Sequence, residues 1–148
     1  MTWLPMPGEP MAINNLGGRA GTDGQIWFPS DNSIFLDPWC PVGTFAHMDL
    51  YRINQAVSAV GVTVCEVGDG VFEGYGFKAT HSNTAPWTYE DLTAAVGDPN
   101  WFIDFPTGIG EYGHIIAWAT YLPTGLRHGV LLTPVVIPPR SKPHLHPP

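Results

Sequence analysis

The sequence predicts an α+β fold, with a small antiparallel sheet, one longer and one short helix, and extended Pro- and Gly-rich arms at both ends. Three observations carry this prediction. Gly and Pro number 17 and 16 among 148 residues, which predicts irregular ends. Short β-branched runs alternate with turn residues in the second half of the chain. Apolar residues recur at helical spacing within residues 44–61, at Ala46, Leu50, Ile53, Val57 and Val60.

The longer helix is predicted from its ends as well as from this spacing. Thr44 is a favourable N-cap residue and Gly61 a favourable stop. The opposite face carries Asp49, Arg52 and Gln55, as expected of a helix with one buried and one solvated side.

The remaining elements follow from turn chemistry. Residues 62–67 and 71–78 flank Gly-Asp-Gly and predict a β-hairpin. Thr88 followed by Asp91 predicts a capping box and a short second helix through residue 96. Two Pro-Thr-Gly turns then separate three strands, predicted over residues 101–105, 114–122 and 129–137.

This pattern divides the chain into three parts. Residues 1–43 are predicted to be an extended N-terminal arm that packs on the body or on a neighbour, with strand-like stretches at 24–28 and 33–36. Residues 44–133 are the compact body. Residues 134–148 contain six prolines and are predicted to be a C-terminal arm.

The net charge of the chain limits which classes of molecule it is expected to bind. Six Lys and Arg against 13 Asp and Glu give a net charge of −7, so a nucleic-acid partner is not expected. Beyond Glu111 the chain has no acidic residue and carries three cations, which favours attraction between the C-terminal part and an acidic body. No apolar run approaches the roughly 20 residues of a membrane helix, and residues 1–10 do not resemble a secretory signal.

Little in the sequence indicates catalytic or metal chemistry. Cys40 and Cys65 form no C-x-x-C motif; both are expected to be reduced packing residues, although one disulfide is an open alternative. The six histidines lack metal-ligand spacing, and no cofactor is expected. Common hydrolase and nucleotide motifs are missing, so we expect no enzyme. The alternative is a small hydrolase with an acid/base site near Glu111, His114 and His128.

Aromatic residues have two expected roles. Trp39, Trp87, Trp101 and Trp118 are predicted to belong to the core. Trp3, with Leu4 and Met6, lies on the N-terminal arm, where an apolar anchor suits insertion into a partner's groove. The predicted partner-contacting residues lie at the two ends: Trp3, Leu4, Met6, Pro134, Val135, Val136, Ile137, Pro138, Pro139, Arg140, Lys142, His144, Leu145 and His146.

The chain resembles, in style, the small virion proteins of tailed actinobacterial phages. The resemblance lies in its low charge, its two lysines, its opening Met-Thr-Trp-Leu-Pro-Met-Pro-Gly and its closing Pro-Pro-Arg-Ser-Lys-Pro-His-Leu-His-Pro-Pro. It implies a non-enzymatic minor tail or tail-tip component, or a head decoration or connector protein. Such a protein is made in the host cytoplasm, resides in the virion, and contacts other virion proteins or its own copies. The aromatic and Gly-rich loops leave open a carbohydrate- or cell-surface-binding module that recognises a host glycan.

Overall fold

The computed structural model describes residues 10–28, 33–82 and 85–135, whose helices and strands are almost all β-strands. The predicted α+β class is therefore wrong. The elements of the described chain are β1 (Pro10–Ile13), β2 (Arg19–Gly21), β3 (Gln25–Trp27), β4 (Ser33–Phe35), β5 (Thr44–Ile53), β6 (Ser58–Gly68), β7 (Val71–Ser82), β8 (Ala85–Asp91), α1 (Leu92–Val96), β9 (Trp101–Ile109), β10 (Ile115–Tyr121) and β11 (Leu126–Leu132).

The strands form three antiparallel sheets. Two sheets have four strands, in the orders β1-β2-β3-β4 and β5-β6-β7-β8. The third has three strands, with β10 between β9 and β11. Every neighbouring pair follows directly in the chain, so short turns suffice to connect them.

The predicted longer helix is instead β5 and the beginning of β6. The register of this pair shifts between Leu50 and Arg52. Such a bulge interrupts the two-residue alternation, so the buried positions are Met48, Leu50 and Ile53. The bulge thus places Leu50 and Ile53 three residues apart on one face, which is a helical step, whereas Ala46 is exposed and Val57 lies in the turn before β6. This local coincidence explains the wrong prediction.

Gly61 is not a helix stop but a central residue of β6. A Cβ atom at this position would collide with the Asp49 carbonyl oxygen on β5. The glycine is therefore required by the close approach of two strands.

The second predicted helix is shorter than expected. Thr88 lies in β8, where its hydroxyl donates to the Thr80 carbonyl at 3.4 Å. The N-cap is Asp91, whose carboxylate accepts from the Thr93 N–H at 3.0 Å. The helix ends at Gly97, which has the left-handed φ of 68° common after a last turn.

Other predicted elements are confirmed. The hairpin predicted from Gly-Asp-Gly is formed by β6 and β7, and three strands, β9, β10 and β11, follow the short helix as predicted. Their bounds differ, because the predicted turn Pro106-Thr107-Gly108 lies within β9, and β11 covers 126–132 rather than 129–137. The strand-like stretches near the N-terminus are β3 and β4.

The buried residues form two clusters that share β6. The larger joins the β1–β4 sheet to the β5–β8 sheet through residues such as Ile26, Leu50 and Phe77, so the N-terminal part also contributes to the core. The smaller lies beneath the β9–β11 sheet and includes Ile103 and Ile115. Two consecutive β6 residues belong to different clusters: Ala59 packs in the larger and Val60 in the smaller. This is because neighbouring side chains on a strand point to opposite faces.

Cys40 and Cys65 form a disulfide, with their Cα atoms 6.1 Å apart. The expectation that both are reduced is therefore wrong. The bond joins the irregular segment after β4 to β6, 25 residues later in the chain, at a position where Cys65 is fully buried. Tertiary proximity rather than sequence spacing creates this pair.

Candidate interaction surface

The outer face of the β9–β11 sheet is apolar. Along β10, Ile115, Ala117 and Ala119 are buried, whereas Ile116 and Trp118 are 54% and 47% exposed. Leu131 lies opposite Ile116 on β11 and is 61% exposed. We call Ile116, Trp118 and Leu131 the apolar strip.

The apolar strip contains a gap beside Trp118. The residue opposite Trp118 on β11 is Gly129, and a Cβ atom placed there would meet nothing within 4 Å. The indole edge is therefore uncovered on this side, and both strands are accessible from solvent.

A polar group borders the apolar strip. The Arg127 guanidinium lies 5.9 Å from the centre of the Trp118 ring, in a cation–π contact, and its Nε lies 3.6 Å from Asp104 Oδ2. The Thr120 hydroxyl donates to the same carboxylate oxygen at 2.7 Å. Since Arg127 and Asp104 are both partly exposed, this group orients side chains more than it stabilises the fold.

A second carboxylate lies beyond Asp104. The Tyr75 hydroxyl donates to Glu73 Oε2 at 2.6 Å, and the Tyr75 ring meets Phe102 edge-on at 5.9 Å. The hydrogen bond to Glu73, followed by burial of the phenol, raises the pKa of Tyr75 to about 12. This phenol is therefore a neutral donor at physiological pH.

An open groove of about 580 Å³ separates α1 from the end of β11. Leu92, Ala95 and Val96 form one wall. Leu132, Pro134 and Val135 contribute to the other. The groove is largely apolar and continues from the edge of β11.

The predicted partner-contacting residues are mostly outside the described chain. Pro134 and Val135 line the groove, and Val135 is 88% exposed. The others, Trp3, Leu4, Met6, Val136, Ile137, Pro138, Pro139, Arg140, Lys142, His144, Leu145 and His146, lie outside the described residues.

The residues of the alternative hydrolase site are not assembled. Glu111 accepts the Gln55 backbone N–H, at 3.1 and 3.2 Å from its two oxygens. His128 pairs with Ala119, five residues beyond His114, so about 16 Å separates the two backbone positions along β10. Within residues 10–28, 33–82 and 85–135, no cluster of three or more His, Cys, Asp or Glu side chains could hold a metal.

The tryptophans differ in accessibility. Trp39 stacks on Tyr89, with ring centres 5.4 Å apart, and both pack against the larger core. Trp118 was expected in the core but lies half exposed. The alternation of Ala117, Trp118 and Ala119 indicated this placement, because small residues suit the closely packed inner face of a strand.

No part of the described chain forms a helix long and apolar enough to cross a membrane. Comparisons with protein-family models, with curated proteins and with solved structures give no match for this chain.

Proposed function

We propose that this protein is a non-enzymatic subunit of a larger assembly, and that the assembly is a phage particle. The observation that carries the proposal is the apolar strip, in which two large aliphatic residues and a tryptophan lie side by side on one sheet face. Single exposed apolar residues are ordinary, whereas contiguous ones favour a protein interface. Burial of such side chains contributes about 25 cal/mol per Å² of apolar surface.

The residues around the apolar strip suit an interface. Trp118 is the type of residue that most often dominates binding energy, particularly when polar groups surround it. Arg127 and Asp104 supply that polar rim. The groove beside β11 adds a second apolar surface that is continuous with the predicted C-terminal arm.

The assignment to a virion rests on the resemblance of sequence style, and the disulfide supports it. Disulfides persist in oxidising surroundings, including virion surfaces, and are rare in the cytosol. A protein made in the host cytoplasm and released in a particle would form the Cys40–Cys65 bond after it leaves the reducing compartment. Within this class we favour a minor tail or tail-tip component, with a head decoration or connector protein as the alternative.

The test is whether the protein copurifies with particles. Particles from a lysate of the producing culture are banded by density, and peptides of this chain are quantified by mass spectrometry against a major capsid protein. A fixed ratio across the particle band supports the proposal. Recovery of the chain only among free proteins contradicts it.

A variant pair then tests the surface. Trp118→Ser removes the aromatic member of the apolar strip, whereas Phe72→Ser removes another exposed aromatic residue, 56% exposed, from β7. We expect Trp118→Ser to reduce incorporation into particles and Phe72→Ser to leave it unchanged. Equal incorporation of both variants would contradict a role for the apolar strip.

A carbohydrate-binding function is the second candidate, and the group around Trp118 supports it. A half-exposed indole beside a carboxylate and a hydroxyl offers both a stacking surface and hydrogen-bonding groups for a sugar. A glycan array with the wild type and Trp118→Ala tests this function. Binding that Trp118→Ala abolishes favours it, and an array without a hit counts against it.

A further inference from the structure

We propose that β11 pairs with β11 of a second copy of this chain, in antiparallel orientation about Gly129. This inference deepens the proposed assembly role by naming the neighbour and the contact. It rests on the edge of β11, on the symmetry of its sequence, and on the charge of the residues that would meet.

The edge of β11 lacks most of the usual protection against strand pairing, because its one fixed charge, Arg127, is held over the Trp118 ring and beside Asp104 of its own sheet. Its seven residues contain neither proline nor an acidic side chain, and they pair with β10 in unbroken register from Leu126 to Leu132. No strand of the described chain lies on its other side. A regular, largely apolar edge without a further strand beside it is a template for another strand.

The other sheet edges in the described residues are protected. β1, β8 and β9 each contain a proline, at Pro10, Pro86 and Pro106. β5 pairs with β6 through two register irregularities, and β4 has three residues. Prolines, bulges and short length all prevent edge-to-edge association, and β11 has none of these features.

The sequence of β11 is complementary to itself when two copies run antiparallel. With Gly129 at the centre, Leu126 faces Leu132 of the second copy, and Arg127 faces Leu131. No two charges meet, whereas a parallel pair would place the two Arg127 side chains near each other, which is unfavourable. The pair extends over about 24 Å at 3.4 Å per residue.

The same register brings leucine side chains of the two copies together on the face of β11 that is turned towards the smaller core. Leu126 is 60% exposed, and the second copy's Leu132, which would lie opposite, lines the groove beside α1. Pairing would therefore cover an exposed leucine in each copy at the mouth of an apolar groove. The outer side would join two apolar strips into one continuous surface.

The undescribed parts of this chain are poor alternative occupants. Residues 1–9 and 136–148 contain prolines so frequently that neither has more than four consecutive residues without one. Proline lacks the N–H that a ladder needs, so neither segment can pair along the full length of β11. A second β11 can.

Sedimentation velocity of the full chain tests the inference. The wild type should sediment as a dimer of 16.1 kDa chains. Gly129→Lys places two ammonium groups opposite each other and should weaken the dimer about tenfold or more. Gly129→Thr, the matched control, adds a neutral β-branched side chain and should preserve it. Both variants should retain the wild-type circular dichroism spectrum, because the space at this Cβ is open, and Gly129→Lys should lose the concentration dependence of melting that a dimer shows.

Three results would overturn the inference: a monomeric wild type at high concentration, a Gly129→Lys variant that dimerises like the wild type, or a folded Gly129→Thr variant that is monomeric. Gly129→Cys provides a direct test, because mild oxidation should cross-link two copies at the centre of the pair. Thr124→Cys, in the β10–β11 turn, should remain uncross-linked. Equal cross-linking of the two variants would also overturn the proposed register.

The particle test remains separate from this experiment. A monomeric wild type that still bands with particles would leave the assembly role standing and remove the β11 pair. A dimer found only among free proteins would contradict the virion role and leave the proposed β11–β11 contact standing.

Discussion

The Asn54 side chain joins two turns by donating from Nδ2 to the Gly110 carbonyl oxygen at 3.1 Å. Its Oδ1 accepts from the Ser58 N–H at 2.9 Å, and its own carbonyl accepts from Asn14 Nδ2 at 3.0 Å. Asn54 is 3% exposed. One buried amide therefore connects the β1–β2, β5–β6 and β9–β10 turns, one from each sheet.

Asn54→Ala should lower the free energy of unfolding by about 1–3 kcal/mol, because the buried Ser58 N–H loses its acceptor, whereas the Gly110 carbonyl keeps the Gly113 N–H. Urea denaturation measures the loss. Asn15→Ala, at an exposed position in the β1–β2 turn, is the control and should change stability little. Equal effects of the two variants would contradict the connecting role of Asn54.

Loss of the Cys40–Cys65 bond should also destabilise the fold. For a loop of 25 residues, the chain-entropy model gives about 3.5 kcal/mol. The double variant Cys40→Ala and Cys65→Ala should therefore unfold at lower urea concentration than the oxidised wild type. A thiol titration of the unfolded, unreduced protein should find no free thiol, and two thiols would contradict the assignment.

Alkaline pH should destabilise the protein through tyrosines whose pKa is raised, above all Tyr75 and Tyr89. The hydrogen bond to Glu73 raises the pKa of Tyr75 to about 12, and burial, with the nearby Asp37 charge, raises that of Tyr89 to about 12. The folded state therefore favours the protonated phenols. Their contribution to stability is complete below the ordinary pKa of about 10 and is lost as the pH rises towards 12.

Tyrosinate absorbance separates these two groups. Glu73→Gln should move the pKa of Tyr75 towards its ordinary value and leave the pKa of Tyr89 unchanged. Tyr75→Phe and Tyr89→Phe should each remove one late-ionising phenol. A Glu73→Gln variant with an unchanged titration curve would show that Glu73 is not the principal cause.

Gly76→Ala should separate β7 from β9. A Cβ atom at Gly76 would lie 2.9 Å from the Ile103 carbonyl oxygen and 3.1 Å from Pro106 Cδ. We expect a loss of about 1–3 kcal/mol in thermal or urea unfolding, as for other overpacked sites. Gly68→Ala, with open space around its Cβ, is the matched control and should be nearly neutral.

The strands of the second half could be predicted because their turns use residues with a defined conformational role. Pro123-Thr124-Gly125 marks the β10–β11 turn as predicted, whereas Pro106-Thr107-Gly108 lies within β9 and the β9–β10 turn is at residues 110–114. The first half was less predictable, because the bulge near Leu50 reproduces helical spacing. A bulge depends on the partner strand, which a local pattern does not contain.

The candidate surface was predictable only in part. The alternation around Trp118 was present in the sequence, but its exposed side depends on which face the smaller core covers. The disulfide likewise required the fold, since 25 residues separate the two cysteines. The edge position of β11 depends on strand order, which hairpin signals alone do not define.

The position of β6 between two cores has a consequence for partial unfolding. Its two faces are anchored independently, through Ala59 on one side and Val60 on the other. We expect the backbone amides of β6 to exchange with solvent most slowly. In the monomer, those of β11 should exchange fastest among the long strands, because β11 is an edge strand without a buried residue. The β9–β11 sheet can thus open as a separate foldon while the larger core stays closed. Pairing of a second strand with the β11 edge would selectively slow the exchange of the β11 amides.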